Sequence, residues 1–268
     1  MYFSANCKKN LRRMIFYFSA TGNSEWVARQ LSERLDDSLV CVNNIARNNF
    51  SNTTFELDSD ERIGFVFPIH SWGPPAIFMK FIEKLNLKNY NEHNAYAVCT
   101  CGDDTGFADY HLKKALKKKD IELCSFHSVT MPNTYILLPG FDVDPSNVEK
   151  RKKEEAIAKI QKIADCIESE VQDKKLLHRG SFARIKSMLI YPPFTKQANG
   201  KCKFTYTDKC TGCGICQMVC PSRNIEMKDG HPEWHNNCTQ CLACIHRCPN
   251  RAIEHGKITL KKGRYYYK

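Results

Sequence analysis

The chain has 268 residues, of which 42% are hydrophobic, 26% charged and 11% aromatic. This composition is typical of a globular protein and excludes a wholly disordered chain. At roughly 100–200 residues per domain, the length predicts one large domain or two smaller ones. The longest apolar runs, at 14–19, 64–69 and 135–138, are far shorter than the ~18 residues of a membrane span. We therefore predict no transmembrane segment.

The net charge of +11 is unevenly distributed. Residues 1–13 carry +4, 174–200 carry +6, 201–256 carry +2 and 257–268 carry +5, whereas 14–173 carry −6. Because a nucleic-acid-binding fold needs its positive charge on a folded face, this pattern argues against nucleic acid as a partner. The basic N-terminal residues are not followed by the features of a secretory signal. We therefore expect Met14 to open the fold and the protein to be cytoplasmic.

The segment 14–173 alternates between short apolar runs and amphipathic patterns. Strands are predicted, in chain order, at 14–19, 39–42, 63–69, 95–100 and 121–131. Helices are predicted at 23–35, 75–85 and 107–119, and a long one lies within 146–173, where seven apolar residues from Ala156 to Val171 form a stripe. This alternation predicts an α/β domain with a flavodoxin-like, doubly wound parallel sheet, whose ligand lies at the carboxyl ends of the strands.

The first loop at that edge joins a strand directly to a helix. Its hydroxyl groups, glycine and small amide provide donors at a helix N-terminus, where an anion is favoured. It lacks the lysine of nucleotide-binding P-loops and is suited to a single phosphate monoester. The alternative is an ordinary helix cap. The loop residues are Ser19, Ala20, Thr21, Gly22, Asn23 and Ser24.

Two further loops follow later strands at the same edge. Trp72 and Gly73 lie in a Gly/Pro-rich turn at 68–75, where the indole offers a surface on which a planar ring can stack, or is simply structural. Thr100 and Gly102 follow the next strand, and small residues there would let a ring edge approach the backbone. The neighbouring Cys99 and Cys101 are interpreted chiefly as small buried apolar residues.

Together, these loops resemble those of flavodoxins. The 19–24 segment is similar to the S/T-x-T-G-x-S/T loop that holds the FMN phosphate, and Trp72 matches the first ring-stacking loop. Thr100–Gly102 falls where the second isoalloxazine loop lies, although no tyrosine is present there. The resemblance implies FMN as a cofactor of the 14–173 domain, with Ser19–Ser24, Trp72, Gly73, Thr100 and Gly102 as its binding residues.

The cysteines carry the most specific signal. Eight of the fifteen lie between 210 and 248, as two copies of C-x2-C-x2-C-x3-C-P offset by 28 residues. In this spacing three thiolates serve one [4Fe–4S] cluster, and the fourth serves the neighbouring cluster. A zinc site would require neither the third cysteine nor the proline. We predict one cluster on Cys210, Cys213, Cys216 and Cys248, and another on Cys238, Cys241, Cys244 and Cys220.

Residues 201–256 resemble bacterial two-cluster ferredoxins. The resemblance implies two [4Fe–4S] clusters and a domain that the clusters help to fold. The nearby His231, His235 and His246 are interpreted as packing or surface residues, since eight thiolates complete both sites.

Two basic segments flank this domain. The linker 174–200 contains six basic residues, no acidic residue and several large apolar residues. A basic amphipathic segment of this kind can lie on an anionic membrane, but we expect its apolar face to pack on the acidic 14–173 domain instead. The basic tail 257–268 is predicted to be a docked extension.

The whole chain, from residue 14 to about 265, resembles a family of bacterial and archaeal proteins in which a flavodoxin-like domain is fused to a two-cluster ferredoxin. The resemblance implies an electron-transfer protein of anaerobic metabolism with protein redox partners. Two alternatives remain: an FMN-dependent reductase of a small acceptor, with His70 as proton donor, and a redox sensor whose flavodoxin-like domain binds no FMN. Whether the chain is an enzyme is left open.

Overall fold

The computed structural model describes residues 13–58, 61–198 and 203–267. The basic residues of 1–12, on which part of the N-terminal prediction rests, lie outside these ranges. The strands are β1 Met14–Tyr17, β2 Ser38–Cys41, β3 Thr54–Glu56, β4 Ile63–Pro68, β5 Asn86–Lys88, β6 Ala95–Cys101, β7 Leu123–Thr130, β8 Phe204–Tyr206, β9 Ile225–Lys228, β10 His231–Trp234 and β11 Ile253–His255. The helices are α1 Asn23–Leu35, α2 Val42–Arg47, α3 Ala76–Lys84, α4 Ala108–Lys117, α5 Ser146–Glu168, α6 Ala183–Ile185, α7 Tyr191–Ala198, α8 Ile215–Val219 and α9 Ala243–Arg247, with a short 3₁₀ turn at Lys174–Leu176 and a π-helical turn at Lys186–Ile190.

The five strands predicted for the N-terminal domain form one sheet. Its order is β2-β1-β4-β6-β7, and all neighbours are parallel. This is the flavodoxin-like doubly wound arrangement predicted from the sequence. Hydrophobic clusters lie on both faces: one contains Phe16, Phe65 and Phe78, and the other contains Ile15, Val66 and residues of α1 and α5. The carboxyl ends of all five strands therefore meet at one edge.

The long helix confirms most of its predicted apolar stripe. Ile160, Ile163 and Ile167 are buried against the sheet. Ile157 and Val171 are exposed, which corrects the prediction for these two residues. Val171 lies beyond the last residue of α5, so the helical periodicity on which its burial was predicted no longer applies there.

Three short elements of the N-terminal domain were not predicted. The helix α2 has six residues, and β3 and β5 have three each and pair with one another. The strands alternate exposed and half-buried positions, and such short segments carry too few residues for a periodic signal.

The C-terminal region is built from two small antiparallel pairs, β9 with β10 and β8 with β11, and from the one-turn helices α8 and α9. Its small core contains Ile225, Ile245 and Ile253 together with cysteine side chains, and Ile136 and Leu137 of the N-terminal domain join this core.

The basic linker is folded and docked. Arg179 pairs with Asp109 at 2.7 Å and Lys186 with Asp104 at 2.7 Å, as its charge predicted. Its apolar residues do not pack as expected: Phe182, Ile185, Leu189 and Ile190 are exposed. The helical part touches the domain through Ala183, Ser187 and Tyr191. Because these contact residues are four positions apart, they lie on one narrow face of the helix, and the large apolar side chains lie on the other faces.

Within the described residues, no helix combines the length and the apolar character needed to cross a membrane.

Candidate functional site

The loop between β1 and α1 presents an uncapped helix N-terminus. Gly22 occupies the N-cap position with a left-handed φ of 95°, and no side chain in the described residues caps the helix. The alternative that the loop is an ordinary side-chain cap of the helix is therefore wrong. Because the first-turn amides of α1 point toward this loop without a side-chain acceptor, the loop remains suited to an anion.

The side chains of the same loop tie neighbouring elements together. The Ser19 hydroxyl accepts from the Gly22 amide at 3.1 Å, and the Ser24 and Thr100 hydroxyls are hydrogen-bonded at 2.7 Å. Asn23 donates to the Pro132 carbonyl at 3.0 Å and accepts from the Tyr265 hydroxyl at 2.9 Å. The structure thus brings the first and third predicted loops into direct contact. Asn23 serves as a buried structural link.

The Trp72 turn is shaped by the linker. Ser187 donates to the Trp72 carbonyl at 2.7 Å, and the Lys186 ammonium lies 5.2 Å from the centre of the indole. Trp72 is half-buried in a left-handed conformation, with φ 64°. Gly73 faces the ring of Tyr191, and a Cβ there would overlap that ring. One face of the indole is therefore near a cation, and the turn has little freedom to move.

The third loop is equally constrained. A Cβ on Gly102 would overlap the side-chain oxygen of Asn133, so only glycine fits. Beneath the loop, the buried Lys152 donates to the Gly102 carbonyl at 2.8 Å and pairs with Asp144 at 2.7 Å. Sequence reasoning did not identify Lys152, because a lysine in a charged helix carries no signal of burial.

Three ionisable side chains near these loops are held neutral. Burial raises the pKa of the Cys101 thiol to about 12 and raises the pKa of Cys99 as well, in keeping with their interpretation as small buried residues. Burial also lowers the pKa of His70 to about 4. His70 is therefore an uncharged imidazole at pH 7, which weakens its suggested role as a proton donor.

The C-terminal tail covers the first loop. The Tyr267 amide donates to the Thr21 carbonyl at 2.7 Å, and its ring stacks on Trp26 with 5.2 Å between centroids. A Cβ on Gly22 would lie 2.8 Å from the Tyr267 side chain. The Lys153 ammonium lies 4.6 Å from the centre of the Tyr267 ring. The docking of the tail was predicted, but this particular contact was not.

The duplicated cysteine segments have the same backbone conformation. Left-handed φ values recur at the 28-residue offset: Gly214 (73°) corresponds to Leu242 (64°), and Arg223 (51°) corresponds to Arg251 (50°). The hydrogen bonds recur as well, because the Asn224 and Ala252 amides donate to the Cys220 and Cys248 sulfurs, each at 3.2 Å. The duplication read from the sequence is therefore also a structural one.

Two cavities lie within this region, and each is lined by cysteine side chains from both copies. The lining of one cavity includes Cys210, Cys213, Cys216 and Cys248. The lining of the other includes Cys220, Cys238, Cys241 and Cys244. These cysteines are not in disulfides.

The cavities differ in their relation to the flavodoxin-like domain. Cys241, in the second cavity, packs against the hydrophobic cluster of the sheet, whereas Cys213, in the first, is exposed. His246 joins the two domains: its Nε2 donates to the Thr134 carbonyl at 2.7 Å, and its Nδ1 accepts from the Tyr265 amide at 3.2 Å. The second cavity therefore lies nearer the sheet.

Comparisons with known proteins identify both domains. A family model described as "Flavodoxin domain" matches residues 14–133, and one described as "4Fe-4S dicluster domain" matches residues 209–253. The chain is thus an iron–sulfur flavoprotein of the redox or electron-transfer class. The presence of both matches on one chain corresponds to the fused flavodoxin and ferredoxin family.

A comparison with solved structures found similar chains, each covering somewhat more than half of this one. A flavodoxin from Streptococcus pneumoniae TIGR4 has 17% identity over 59% of this chain and 99% of its own, with a TM-score of 0.38. The Trp repressor binding protein from Bacillus subtilis has 11% identity over 56% and 96%, with a TM-score of 0.34. An NAD(P)H:quinone oxidoreductase from Methanothermobacter marburgensis has 10% identity over 59% and 97%, with a TM-score of 0.38. A search of curated proteins gave no match.

Proposed function

We propose that the chain relays electrons between two [4Fe–4S] clusters and FMN. The main support for the proposal is that each of the two cavities is lined by cysteines from both sequence copies. The fourth cysteine of each sequence copy lines the cavity of the other copy, which is the ligand exchange expected of a two-cluster ferredoxin. When bound, the clusters would exchange single electrons, and FMN would exchange one or two.

The cysteines would hold the clusters in two different environments. Cys220 and Cys248 each accept a backbone hydrogen bond at 3.2 Å, and such bonds to thiolate sulfur are one means by which a protein sets a cluster's potential. Cys241 packs on the sheet, whereas Cys213 is exposed. We infer that the Cys220/Cys238/Cys241/Cys244 cluster lies on the flavin side of the relay.

The FMN site would be formed mainly by backbone groups. The uncapped amides at the start of α1 and the Thr21 hydroxyl would hold the phosphate, since the side chains of Asn23 and Ser24 already have protein partners. Trp72, Gly73, Thr100 and Gly102 would border the ring. Tyr267 and the linker cover parts of these loops, which favours an electron carrier over a reductase that must admit a second substrate.

The two cofactors can be tested separately. Anaerobically prepared protein is expected to contain about eight iron and eight sulfide per chain and one FMN. Thr21→Ala should lower FMN retention and leave iron unchanged, whereas the control Thr54→Ala, at an exposed position of β3, should change neither. Iron near eight without flavin would support the sensor alternative. Zinc without acid-labile sulfide would contradict the proposal.

A further inference from the structure

The linker contains a helix whose contact with the rest of the protein is unusually narrow. From α6 through the π-helical turn to α7, residues 183–198 form one continuous helical segment, here called the connector helix. Ala183, Ser187 and Tyr191, spaced four residues apart, are buried. Ser187 donates to the Trp72 carbonyl and Tyr191 donates to the Pro74 carbonyl, both at 2.7 Å. The helix is therefore held firmly by a single line of residues.

The outer surface of the connector helix exposes large apolar side chains beside Arg184 and Lys196, and Phe182, which directly precedes the helix, adds to them. The exposed fractions are 74% for Phe182, 68% for Leu189, 54% for Ile185 and 43% for Ile190. Single exposed apolar side chains are normal on a protein surface, but a cluster of large ones marks a binding surface. Ala183, Ser187 and Tyr191 face the domain, whereas the large aliphatic side chains face outward. A helix that covers its own core has its aliphatic side chains on the inward face instead.

The charged side chains that the connector helix itself contributes are basic, and one of them, Lys186, is paired with Asp104 at 2.7 Å. No acidic residue occurs between 174 and 200. The adjoining helix α4 touches the connector through His111, whose Nε2 lies 3.0 Å from the Ser187 carbonyl. Lys114 and Lys118 follow His111 by three and seven positions and so share its helix face, and they belong to a group of five lysines between 113 and 119. The apolar surface is thus bordered by lysines from a second element.

We propose that the connector helix is a peripheral binding site for an anionic lipid surface. At ~1.5 Å per residue the helix is roughly 24 Å long, and lying flat it would insert its apolar side chains at the boundary between head groups and acyl chains. The lysines of α4 would meet the lipid phosphates. Each basic residue near such a surface strengthens binding about fivefold.

The basic residues beside the exposed apolar side chains, except Lys186, which Asp104 already pairs, favour lipid over a second copy of the chain. A two-fold symmetric dimer places the same patch of each subunit against its counterpart. Here that would bring basic residues against basic residues, with no acidic residue of the 174–200 segment to compensate. An anionic lipid surface supplies the missing negative charge.

Flotation of the anaerobically prepared full chain with vesicles tests the proposal. We expect binding to phosphatidylcholine vesicles that contain about 30% phosphatidylglycerol, and little binding to phosphatidylcholine alone. Combined Ile185→Ser and Leu189→Ser should weaken binding about tenfold or more. Val171→Ser with Leu260→Ser, at residues 55% and 58% exposed elsewhere on the surface, should leave binding unchanged.

Substitutions of lysines test the electrostatic contribution to vesicle binding. Lys114→Gln with Lys118→Gln should weaken binding about thirtyfold, whereas Lys84→Gln with Lys88→Gln, at exposed residues of another segment, should have little effect. No binding to anionic vesicles, or equal binding to both vesicle types, would overturn the proposal. A concentration-dependent dimer that the Ile185 and Leu189 substitutions dissociate would overturn it in favour of self-association.

Discussion

Removing one hydroxyl from the C-terminal tail should destabilise the flavodoxin-like domain. Tyr265 is 8% exposed, and its hydroxyl donates to the Asn23 side-chain oxygen at 2.9 Å in a buried setting. Asn23 in turn donates to the Pro132 carbonyl at 3.0 Å. This chain of hydrogen bonds joins the tail, the first loop and the segment after β7. In Tyr265→Phe the Asn23 oxygen would lose its donor while remaining buried.

The expected magnitude follows from that burial. Leaving a buried acceptor unsatisfied costs about 1–3 kcal/mol. For a chain of this size, a loss of about 2 kcal/mol corresponds to a decrease of roughly 4–8 °C in the unfolding midpoint. Tyr266→Phe removes the same hydroxyl from the next residue, which is 36% exposed. Because water can replace a partner there, that change should stay within about 0.5 kcal/mol.

Thermal unfolding followed by circular dichroism, with the clusters kept intact under anaerobic conditions, compares the two variants directly. The reasoning requires Tyr265→Phe to unfold at a clearly lower temperature than Tyr266→Phe. Equal midpoints for the two variants would refute the claim that the tail is tied to the first loop through Asn23.

Three other predictions concern the clusters, acid stability and the third loop. Cys220→Ala should reduce iron to about four per chain, because it should remove the cluster predicted on Cys238, Cys241 and Cys244. Loss of the cluster predicted on Cys210, Cys213 and Cys216 would contradict the ligand assignment. His127 is buried, neither ring nitrogen has a hydrogen-bond partner among the described residues, and burial lowers its pKa to about 4. Because the unfolded chain binds the proton more tightly, stability falls as the pH drops from 6.5 toward 4. His127→Leu should remove about 1.5 kcal/mol of the loss between pH 6.5 and 5; urea unfolding at both pH values measures this, and an unchanged difference between them would contradict it. Gly102→Ala would drive a methyl group into the side-chain oxygen of Asn133, whose side-chain amide donates to Asp144 at 3.3 Å. We expect a loss of about 1–3 kcal/mol in urea unfolding; an unaltered midpoint would show that the Asn133 side chain moves aside without cost.

The sequence by itself determined the elements and motifs whose signals are local. Helix α1 begins and ends at the predicted residues, and the five strands of the sheet lie close to their predicted positions, because hydrophobic periodicity is recorded in consecutive residues. The 28-residue repeat of cysteines is likewise visible without a structure. The short β3 and β5 were not, since their pairing depends on a partner about thirty residues away.

Only the tertiary structure decided how distant segments meet at the carboxyl edge of the sheet. The contact of Tyr267 with Thr21 joins opposite ends of the chain, and no local pattern encodes it. The linker shows the same limit: its composition predicted a basic amphipathic segment with its apolar face packed on the domain, whereas Phe182, Ile185 and Leu189 are exposed. That orientation depends on the shape of the receiving surface, where Gly73 leaves room for the ring of Tyr191, and such complementarity exists only once both segments are folded.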